Sequence, residues 1–360
     1  MAVRVPVIAL TGYLGAGKTT VLNNLLRAPG ARLGVVVNDF GAINVDAALV
    51  SGQVDQPASI AGGCLCCLPD TDGLDTALEK LSHPRLRLDA VIVEASGVAD
   101  PPALARLIRF SGVNRVRPGG LVDVVDAAAY FDTVDPGGLP PARFASASLV
   151  VINKTDRVPA ATRAETLARI AARVRESNPQ VHIVDTTLGR VDPRLVFDAA
   201  SPHDPVGELP LAALARADQE HDRDHDQDHA GHGTAPHPRA DAVTVPAAGP
   251  VDPGRLVDLI EDPPAGVYRL KGTVTVNTGR SLRGHVVNLV GRQIHIATRS
   301  AAEGPSGLVA IGMGLDQSAV RSRLEEALQP CPDRPAPDGV RRLARHRRLS
   351  ATGSRRSENG

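Results

Sequence analysis

An eight-residue stretch near the start of the chain, GYLGAGKT, constrains the fold more than any other feature. It runs from Gly12 to Thr19 and fits the pattern G-x-x-x-x-G-K-[ST]. The apolar run RVPVIALT leads into it, and the helix-like stretch KTTVLNNLLRA follows it. A strand, a glycine-rich loop and a helix in this order predict a loop whose backbone N–H groups hold phosphate at the helix N-terminus. A glycine-rich turn that fits by chance is the alternative, and the flanking strand and helix argue against it.

The residues of this loop suit the phosphates of a nucleoside triphosphate and its Mg²⁺ ion. Glycines let the backbone wrap the phosphates, Lys18 brings a positive charge to the β- and γ-phosphates, and the hydroxyl of Thr19 is a ligand for Mg²⁺. Lys18 is one of only four lysines in the chain. The predicted phosphate-binding residues are Gly12, Gly15, Ala16, Gly17, Lys18, Thr19 and Thr20.

Residues 1–200 alternate short apolar runs with helix-like stretches. The runs RVPVIALT, LGVVVND, LDAVIVEAS, GGLVDVVDA, ASLVVINK and QVHIVDT are nearly continuous in apolar residues, which is typical of strands covered on both faces. Stretches such as PPALARLIRFS and AATRAETLARIAARVRESN lie between them and have helical spacing. The alternation predicts an α/β fold, namely a P-loop NTPase with a doubly wound, mostly parallel sheet.

The composition changes after residue 200. Residues 217–241 are polar and have no apolar period, so we expect a flexible His- and Asp-rich linker over 201–248. The runs VYRLKGTVTVN, HVVNLVGRQIHIAT and GLVAIGMG and the helix-like DQSAVRSRLEEALQ then predict a second, smaller α+β domain over 249–330. Residues 331–360 are rich in proline and arginine and are expected to form a disordered tail, with contact to RNA or acidic partners as the alternative.

Charge, hydropathy and cysteine content argue against several classes of protein. The 40 basic and 40 acidic side chains give a formal net charge of zero, so nucleic acid is not an expected partner. No apolar run reaches the roughly 18 residues of a membrane span, and the first one enters GYLGAGKT without a signal-peptide cleavage site. Three clustered cysteines and a lone Cys331 make no disulfide framework. We therefore expect a cytoplasmic protein with reduced thiols and no membrane partner.

The stretch VINKTD indicates which base is bound. Asn153, Lys154 and Asp156 follow an apolar strand as N-K-x-D. The Asp156 carboxylate can accept hydrogen bonds from N1–H and the 2-amino group of guanine, whereas adenine would leave it unpaired at a cost. Alone this four-residue pattern is most often an ordinary turn. Beyond a P-loop and at a strand end, it predicts GTP as the nucleotide.

A third motif, VIVEASG, ends a predicted strand with Glu94 and continues to Gly97. Glu94 resembles a Walker B position and would hold the water shell of Mg²⁺, while the Gly97 N–H would sense the γ-phosphate. The alternative is a strand-end carboxylate that caps the next helix.

Five segments in this order resemble the CobW family of P-loop GTPases: the P-loop, NDFGAINVD, GGCLCC, VIVEASGVADP and VINKTD. YRLKG and GLVAIGMGLD are similar to segments of that family's C-terminal domain, and a histidine-rich linker is common in it. The resemblance covers nearly the whole chain. It implies a GTP-driven metallochaperone that carries zinc or cobalt to a client metalloprotein.

The same resemblance implies roles for residues near the nucleotide. Cys64, Cys66 and Cys67 would be metal thiolates, and Asp39 stands where the family usually has a glutamate, so that its coordination would use a shorter side chain. Ala42 replaces another usual glutamate. Asp46 matches the switch aspartate that orients water or Mg²⁺. Lys18, Thr19, Asp46 and Glu94 are accordingly the predicted catalytic residues.

The cysteine cluster also points to metal by its own chemistry. A disulfide between Cys66 and Cys67 would be strained, one between Cys64 and Cys66 would close a tiny ring, and the redox pattern C-x-x-C is absent. Three thiolates supply three of the four tetrahedral positions that Zn²⁺ prefers, and an open fourth position suits transfer. Inert buried cysteines are the alternative.

The histidines give a weaker indication of a metal site than the cysteines do. The linker carries His221, His225, His229, His232 and His237 among aspartates. They are expected either to collect divalent metal weakly or to belong to a solvated spacer. His285 and His295 lie in predicted strands and are interpreted as structural. The sequence leaves open a homodimer, as well as a metal-storing or metal-sensing protein whose nucleotide is structural or regulatory. A GTP-dependent small-molecule kinase is disfavoured, because no acceptor pocket is recognisable.

Overall fold

The computed structural model describes residues 4–37, 58–59, 72–95, 100–197, 239–300, 306–331 and 334–352. They fall into two compact units, which divide between residues 200 and 201. Each unit has its own sheet. The predicted fold class, a parallel α/β sheet followed by a smaller α+β domain, is confirmed.

The first unit is built on a seven-stranded sheet in the order β3-β2-β4-β1-β5-β6-β7, and every strand pair in it is parallel. Its strands are β1 (Val5–Gly12), β2 (Leu33–Val37), β3 (Ala58–Ser59), β4 (Ala90–Glu94), β5 (Val116–Asp126), β6 (Leu149–Asn153) and β7 (His182–Asp185). Because the strands are parallel, their carboxyl ends share one edge of the sheet. That edge collects β1, β4 and β6, each of which ends at a predicted motif.

Six α-helices belong to this unit in the part of the chain that is described. They are α1 (Lys18–Leu26), α2 (Asp72–Leu81), α3 (Pro101–Arg109), α4 (Tyr130–Thr133), α5 (Arg163–Ser177) and α6 (Pro193–Val196). Short 3₁₀ helices span Pro84–Leu86, Ala142–Ser146 and Thr155–Arg157. Side chains on both faces of β1 are buried, with Val7 and Ala9 on one face and Ile8 and Leu10 on the other. The nearly continuous apolar runs of the sequence reflect this burial on both faces.

The second unit has a five-stranded antiparallel sheet in the order β11-β10-β9-β12-β8. Its strands are β8 (Asp241–Pro246), β9 (Val267–Asn277), β10 (Leu282–Val290), β11 (Gln293–Arg299) and β12 (Gly307–Gly312). Its helices are α7 (Pro253–Glu261), α8 (Gln317–Leu328) and α9 (Pro337–Thr352). Leu256, Leu324 and Leu343, one from each helix, share a core with Leu270 and Leu308 of the sheet. Among the described helices of both units, none is long and apolar enough to cross a membrane.

One strand lies where the sequence predicts linker. β8 falls within residues 201–248, where the composition predicts a flexible linker. The strand forms because Val243 and Val245 are buried in the core while its backbone pairs with β12. The linker prediction is therefore wrong for residues 241–246.

A helix likewise replaces part of the predicted disordered tail. α9 occupies residues 337–352, which have few apolar residues. Leu343 is deeply buried, and Gly339 lies so close to Gly254 that a Cβ at residue 339 would collide with the Gly254 backbone. Ion pairs from Arg342 to α7 add to the contact. Docking through a close glycine contact and charged pairs leaves no apolar periodicity for sequence analysis to find.

Candidate functional site

The loop between β1 and α1 forms at the carboxyl edge of the first sheet. Gly17 immediately precedes α1 in the left-handed region, with a φ of 99°. A Cβ at Gly17 would collide with the side-chain amide of Asn153, and a Cβ at Gly12 would collide with the carbonyl of Val124. The space at Gly15 is different, because a Cβ there would meet no atom within 4 Å. The glycines thus allow close packing on one side of the loop and leave open space at Gly15.

Lys18 lies at the first position of α1 and is nearly buried. Its ammonium nitrogen donates to the carbonyl of Gly12 at 3.1 Å and to that of Tyr13 at 3.4 Å. The side chain therefore folds back over the loop and places its charge inside the loop. A lysine of a phosphate-binding loop needs this position to reach the phosphates.

Thr19 and Glu94 meet across the sheet edge. The Thr19 hydroxyl donates to Oε1 of Glu94 at 2.9 Å, although the two residues lie 75 positions apart in the chain. Glu94 is the last residue of β4, which is the neighbour of β1. The side chain of Glu94 is buried, with 4% of the residue exposed. A hydroxyl and a carboxylate in contact beside a phosphate loop are a donor set suited to Mg²⁺.

The end of β6 is bonded directly to the phosphate loop. Asn153 donates from Nδ2 to the carbonyl of Ala16 at 3.0 Å. The next residue, Lys154, donates from Nζ to the carbonyl of Gly15 at 2.5 Å and forms a 2.7 Å ion pair with Asp126. The N-K-x-D segment and the loop are therefore one hydrogen-bonded assembly.

Asp156 lies in the 3₁₀ helix that follows Lys154 and is exposed. Lys154 itself adopts the left-handed conformation, with a φ of 60°, and turns the chain from β6 into this helix. An exposed carboxylate next to the loop is available to a base bound there. The contacts that the sequence predicts for Asp156 with guanine stay a prediction.

The loop after β7 completes this assembly, and the sequence analysis missed it. The Gly189 N–H donates to Oδ1 of Asn153 at 2.9 Å, and the hydroxyls of Thr155 and Thr187 lie 2.9 Å apart. Gly189 has a φ of 66° and approaches α1 so closely that a Cβ would lie 2.8 Å from the Val21 nitrogen. The signal that could have found it is its position, because DTTLG ends the last predicted strand of the sheet at the edge where all other motifs lie.

A buried ion pair supports the loop from the neighbouring strand. Asp123 of β5 is fully buried and accepts from Arg143 Nε and Nη2, both at 2.8 Å. The Thr11 hydroxyl, one residue before the loop, donates to the same carboxylate at 3.0 Å. Although burial alone would lower the pKa of Arg143, the hydrogen bonds and charge of Asp123 raise it above its ordinary value. The ion pair therefore holds the end of β1 in place through the hydroxyl of Thr11.

Several predicted site residues lie outside the described part of the chain. They are Asp39, Asp46, Cys64, Cys66, Cys67 and Gly97, together with His221, His225, His229, His232 and His237 of the linker. Within the described ranges, no group of three His, Cys, Asp or Glu side chains is placed to hold a metal ion. His285 is buried in β10 and His295 lies in β11, within the second unit.

A parallel sheet with a glycine-rich loop, a buried lysine and an N-K-x-D segment at one edge defines a P-loop nucleotide-binding domain. Residues 6–184 match the model of the CobW/HypB/UreG nucleotide-binding domain. Residues 240–328 match the C-terminal domain of cobalamin synthesis protein cobW. The chain therefore belongs to the CobW family, as the order of its motifs predicts.

Two relatives and one solved structure illustrate what this chain is similar to. The chain is 28% identical over 366 residues to a protein named zinc chaperone CobW from Sinorhizobium sp, and the match spans 89% of this chain and 96% of the relative. It is 30% identical over 198 residues to zinc-regulated GTPase metalloprotein activator 1 of Schizosaccharomyces pombe, across 52% of this chain and 47% of that protein. Among solved structures, Zn(II)-bound YjiA GTPase from E. coli aligns with 19% identity and a TM-score of 0.40 over 90% of this chain and 99% of that chain.

Proposed function

We propose that this protein is a GTPase that binds a divalent metal, zinc or cobalt, at Cys64, Cys66 and Cys67 and delivers it to a client metalloprotein. The observation that carries the GTPase part is the bonding of the N-K-x-D segment to the phosphate loop through Asn153 and Lys154. The metal part draws support from the thiolate cluster and from relatives named as zinc chaperones and a zinc-regulated GTPase.

In this proposal the first unit binds both the phosphates and the base of the nucleotide. Gly12, Gly15 and Gly17 present backbone N–H groups to the phosphates, with Lys18 at the β- and γ-phosphates. Asp156 accepts from N1–H and the 2-amino group of guanine. The contacts of Lys154 with Gly15 couple the base-binding segment to the phosphate-binding loop. Adenine offers the Asp156 carboxylate no matching donors, so ATP binds more weakly.

Thr19 and Glu94 fit an Mg²⁺ ion, because a hydroxyl and a buried carboxylate already meet beside the loop. When bound, Mg²⁺ would neutralise charge on the β- and γ-phosphates. Glu94 orients Thr19, while Asp46 and the Gly97 N–H are the remaining groups proposed to position water and sense the γ-phosphate.

The metal is cargo in this account. Cys64, Cys66 and Cys67 bind it as thiolates, and Asp39 is the proposed oxygen ligand. Residues 39–67 lie in sequence between two strands of the nucleotide-binding sheet, β2 and β4. Segments that contact the γ-phosphate change when it is hydrolysed, so GTP turnover is proposed to change the affinity of the thiolates for metal and release it to the client.

A second function uses the same residues without a hand-over. A metal-storing or metal-sensing protein would bind zinc at the cysteines, and nucleotide would be structural or regulatory. The two functions differ in whether metal and turnover influence each other. Metal that stimulates hydrolysis supports the chaperone, whereas unchanged turnover supports storage.

Steady-state hydrolysis of GTP and ATP tests the enzymatic part. Lys18→Ala should abolish GTP turnover, because the loop loses the positive charge that stabilises the transferring phosphoryl group. Lys80→Ala removes an exposed lysine of α2 and should leave turnover unchanged. Near-normal hydrolysis by Lys18→Ala, or equal use of ATP and GTP by the unmodified protein, would refute the proposed activity.

A further inference from the structure

The C-terminal helix α9 is rich in basic residues. From Pro337 to Thr352 it has five arginines and one histidine, and Asp338 is its single acidic residue. It also lies outside both matched family models, which end at residues 184 and 328. The matches to the family models therefore give no role to this helix.

The inner face of α9 holds it on the second unit. Arg342 donates to Asp258 at 2.7 Å and also to Glu261, and Nε2 of His346 lies 2.6 Å from the same glutamate. The Ser350 hydroxyl accepts from the N–H of Ile296 at 2.9 Å. This last bond satisfies a backbone donor of β11, the edge strand of the sheet. The inner face thus uses Arg342, His346 and Ser350 to hold the helix on this unit.

The outer face of α9 presents a row of exposed arginines, at 341, 345 and 348. Spacings of four and three residues place these side chains on one side of a helix, about 6 Å and 4.5 Å apart along its axis. Arg341 shares a 3.1 Å ion pair with Asp338, but both side chains are exposed, so this pair is weak. A row of guanidinium groups suits a row of carboxylates or phosphates. We call this surface the arginine row.

The chain itself contains a segment with matching charge and spacing. Every second residue from 218 to 228 is acidic: Asp218, Glu220, Asp222, Asp224, Asp226 and Asp228. In an extended chain, residues i and i+2 share a face and lie roughly 6.6 Å apart. The six carboxylates would then form one row with a spacing near that of the arginine row. His221, His225 and His229 would point to the opposite side.

We propose that residues 218–228 dock in extended form on the arginine row, with their carboxylates against Arg341, Arg345 and Arg348. The connection is long enough, since residues 229–238 reach roughly 35 Å when extended. Across the sheet, the distance from one edge strand, β8, to the other, β11, is only about 19 Å. This docking involves only residues of the second unit and does not depend on the proposed GTPase.

Docking makes the acidic segment sensitive to divalent metal. His221, His225 and His229 are spaced four residues apart, so an extended chain would keep them too far apart to share one ion, and the chain would have to bend or turn to bring two of them together. Such a bend would remove the acidic residues from their common face, and the ion would add two positive charges. Metal binding and docking therefore compete, and by linkage docking must weaken the metal affinity of these histidines by the same factor.

A peptide-binding experiment tests the proposal on the full chain. The acidic residues of 218–228 are changed to Asn and Gln so that the chain's own segment does not compete, and a fluorescent peptide of residues 217–230 is added. Arg341→Gln, Arg345→Gln and Arg348→Gln together should weaken its binding at least tenfold. The control Arg280→Gln, Arg283→Gln and Arg321→Gln removes equal charge from other exposed positions of the same unit and should change binding less than twofold. Zn²⁺ should weaken binding at least threefold.

Further arms separate this docking from other uses of the arginine row. Equal losses in the two triple variants overturn the proposal, and so does equal binding by a peptide of the same composition in a different order. A single-stranded RNA that binds the row when the peptide does not would overturn it as well. In the unmodified chain, Arg345→Lys should form carbodiimide cross-links to 218–228 within one chain, whereas Arg280→Lys should not. Cross-links found only between chains would show a second copy as the occupant and contradict docking within the chain.

Discussion

The hydroxyl of Thr19 and the carboxylate of Glu94 form a 2.9 Å hydrogen bond that joins the phosphate loop to the end of the neighbouring strand. Both residues come from separate motifs, and both are needed for the proposed use of Mg²⁺. Glu94 is buried at the end of its strand, so the packing around it fixes the position of its carboxylate.

Glu94→Gln should lower GTP turnover at least a hundredfold while leaving nucleotide binding within about threefold. The amide keeps the size of the side chain but loses the charge that favours a divalent cation. Turnover measured against Mg²⁺ concentration checks this, and the variant should require more Mg²⁺. Glu79→Gln, at an exposed position of α2, is the matched control. Unchanged turnover in Glu94→Gln would leave the carboxylate with the capping role instead.

Asp156→Asn should weaken GTP binding at least tenfold and shift preference toward xanthosine triphosphate. The amide supplies a donor where the carboxylate accepts, which suits the 2-oxo group of xanthine. Competition between the two nucleotides for a fluorescent analogue measures the shift. Asp132→Asn, at an exposed position of α4, should leave the preference unchanged. A variant that keeps its preference for GTP would show that Asp156 does not read the base.

The second unit should lose stability in mild acid because of His285. Burial, followed by the charge of nearby Arg347, lowers the pKa of His285 from 6.5 to about 4. The unfolded chain takes up the proton between these values, so the contribution of His285 is present above pH 6.5 and is lost as the pH falls toward 4. The full effect is on the order of 3 kcal/mol.

Melting temperatures from pH 7 to 4.5 check this prediction for His285. His285→Gln should flatten the decline, whereas His83→Gln, at an exposed position, should leave it unchanged. Burial also lowers the pKa of His182 to about 4, so the first unit contributes a decline of its own. An unchanged slope in His285→Gln would mean that this histidine does not govern the acid sensitivity of the second unit.

Much of the first unit was predictable because its signals are local. The strands of a parallel sheet are buried on both faces and leave continuous apolar runs, while Lys18, Glu94 and Asn153 belong to short motifs at strand ends. Contacts between distant residues leave no such signal. Nothing in the sequence pairs Arg143 with Asp123 or Gly189 with Asn153, and these contacts exist only because the sheet brings β5, β6 and the loop after β7 together.

The second unit shows the limit of composition as a guide. β8 and α9 both lie in stretches with the composition of linkers, yet both are ordered by their contacts with other elements of the unit. β8 is held by pairing with β12, and α9 by Leu343 and by the pairs from Arg342 to α7. An element stabilised mainly by its partners needs little amphipathic pattern of its own.

Zinc affinity in the two nucleotide states tests the central claim, which is that GTP and metal are coupled. A competing chelator measures the zinc affinity of the protein in two states. In one state the protein is bound to a non-hydrolysable GTP analogue, and in the other it is bound to GDP. The account predicts affinities that differ at least fivefold, equivalent to about 1 kcal/mol of coupling. Cys66→Ser with Cys67→Ser should abolish the difference and leave nucleotide binding intact. Equal zinc affinities in the GTP and GDP states would contradict the metallochaperone and leave metal storage as the function.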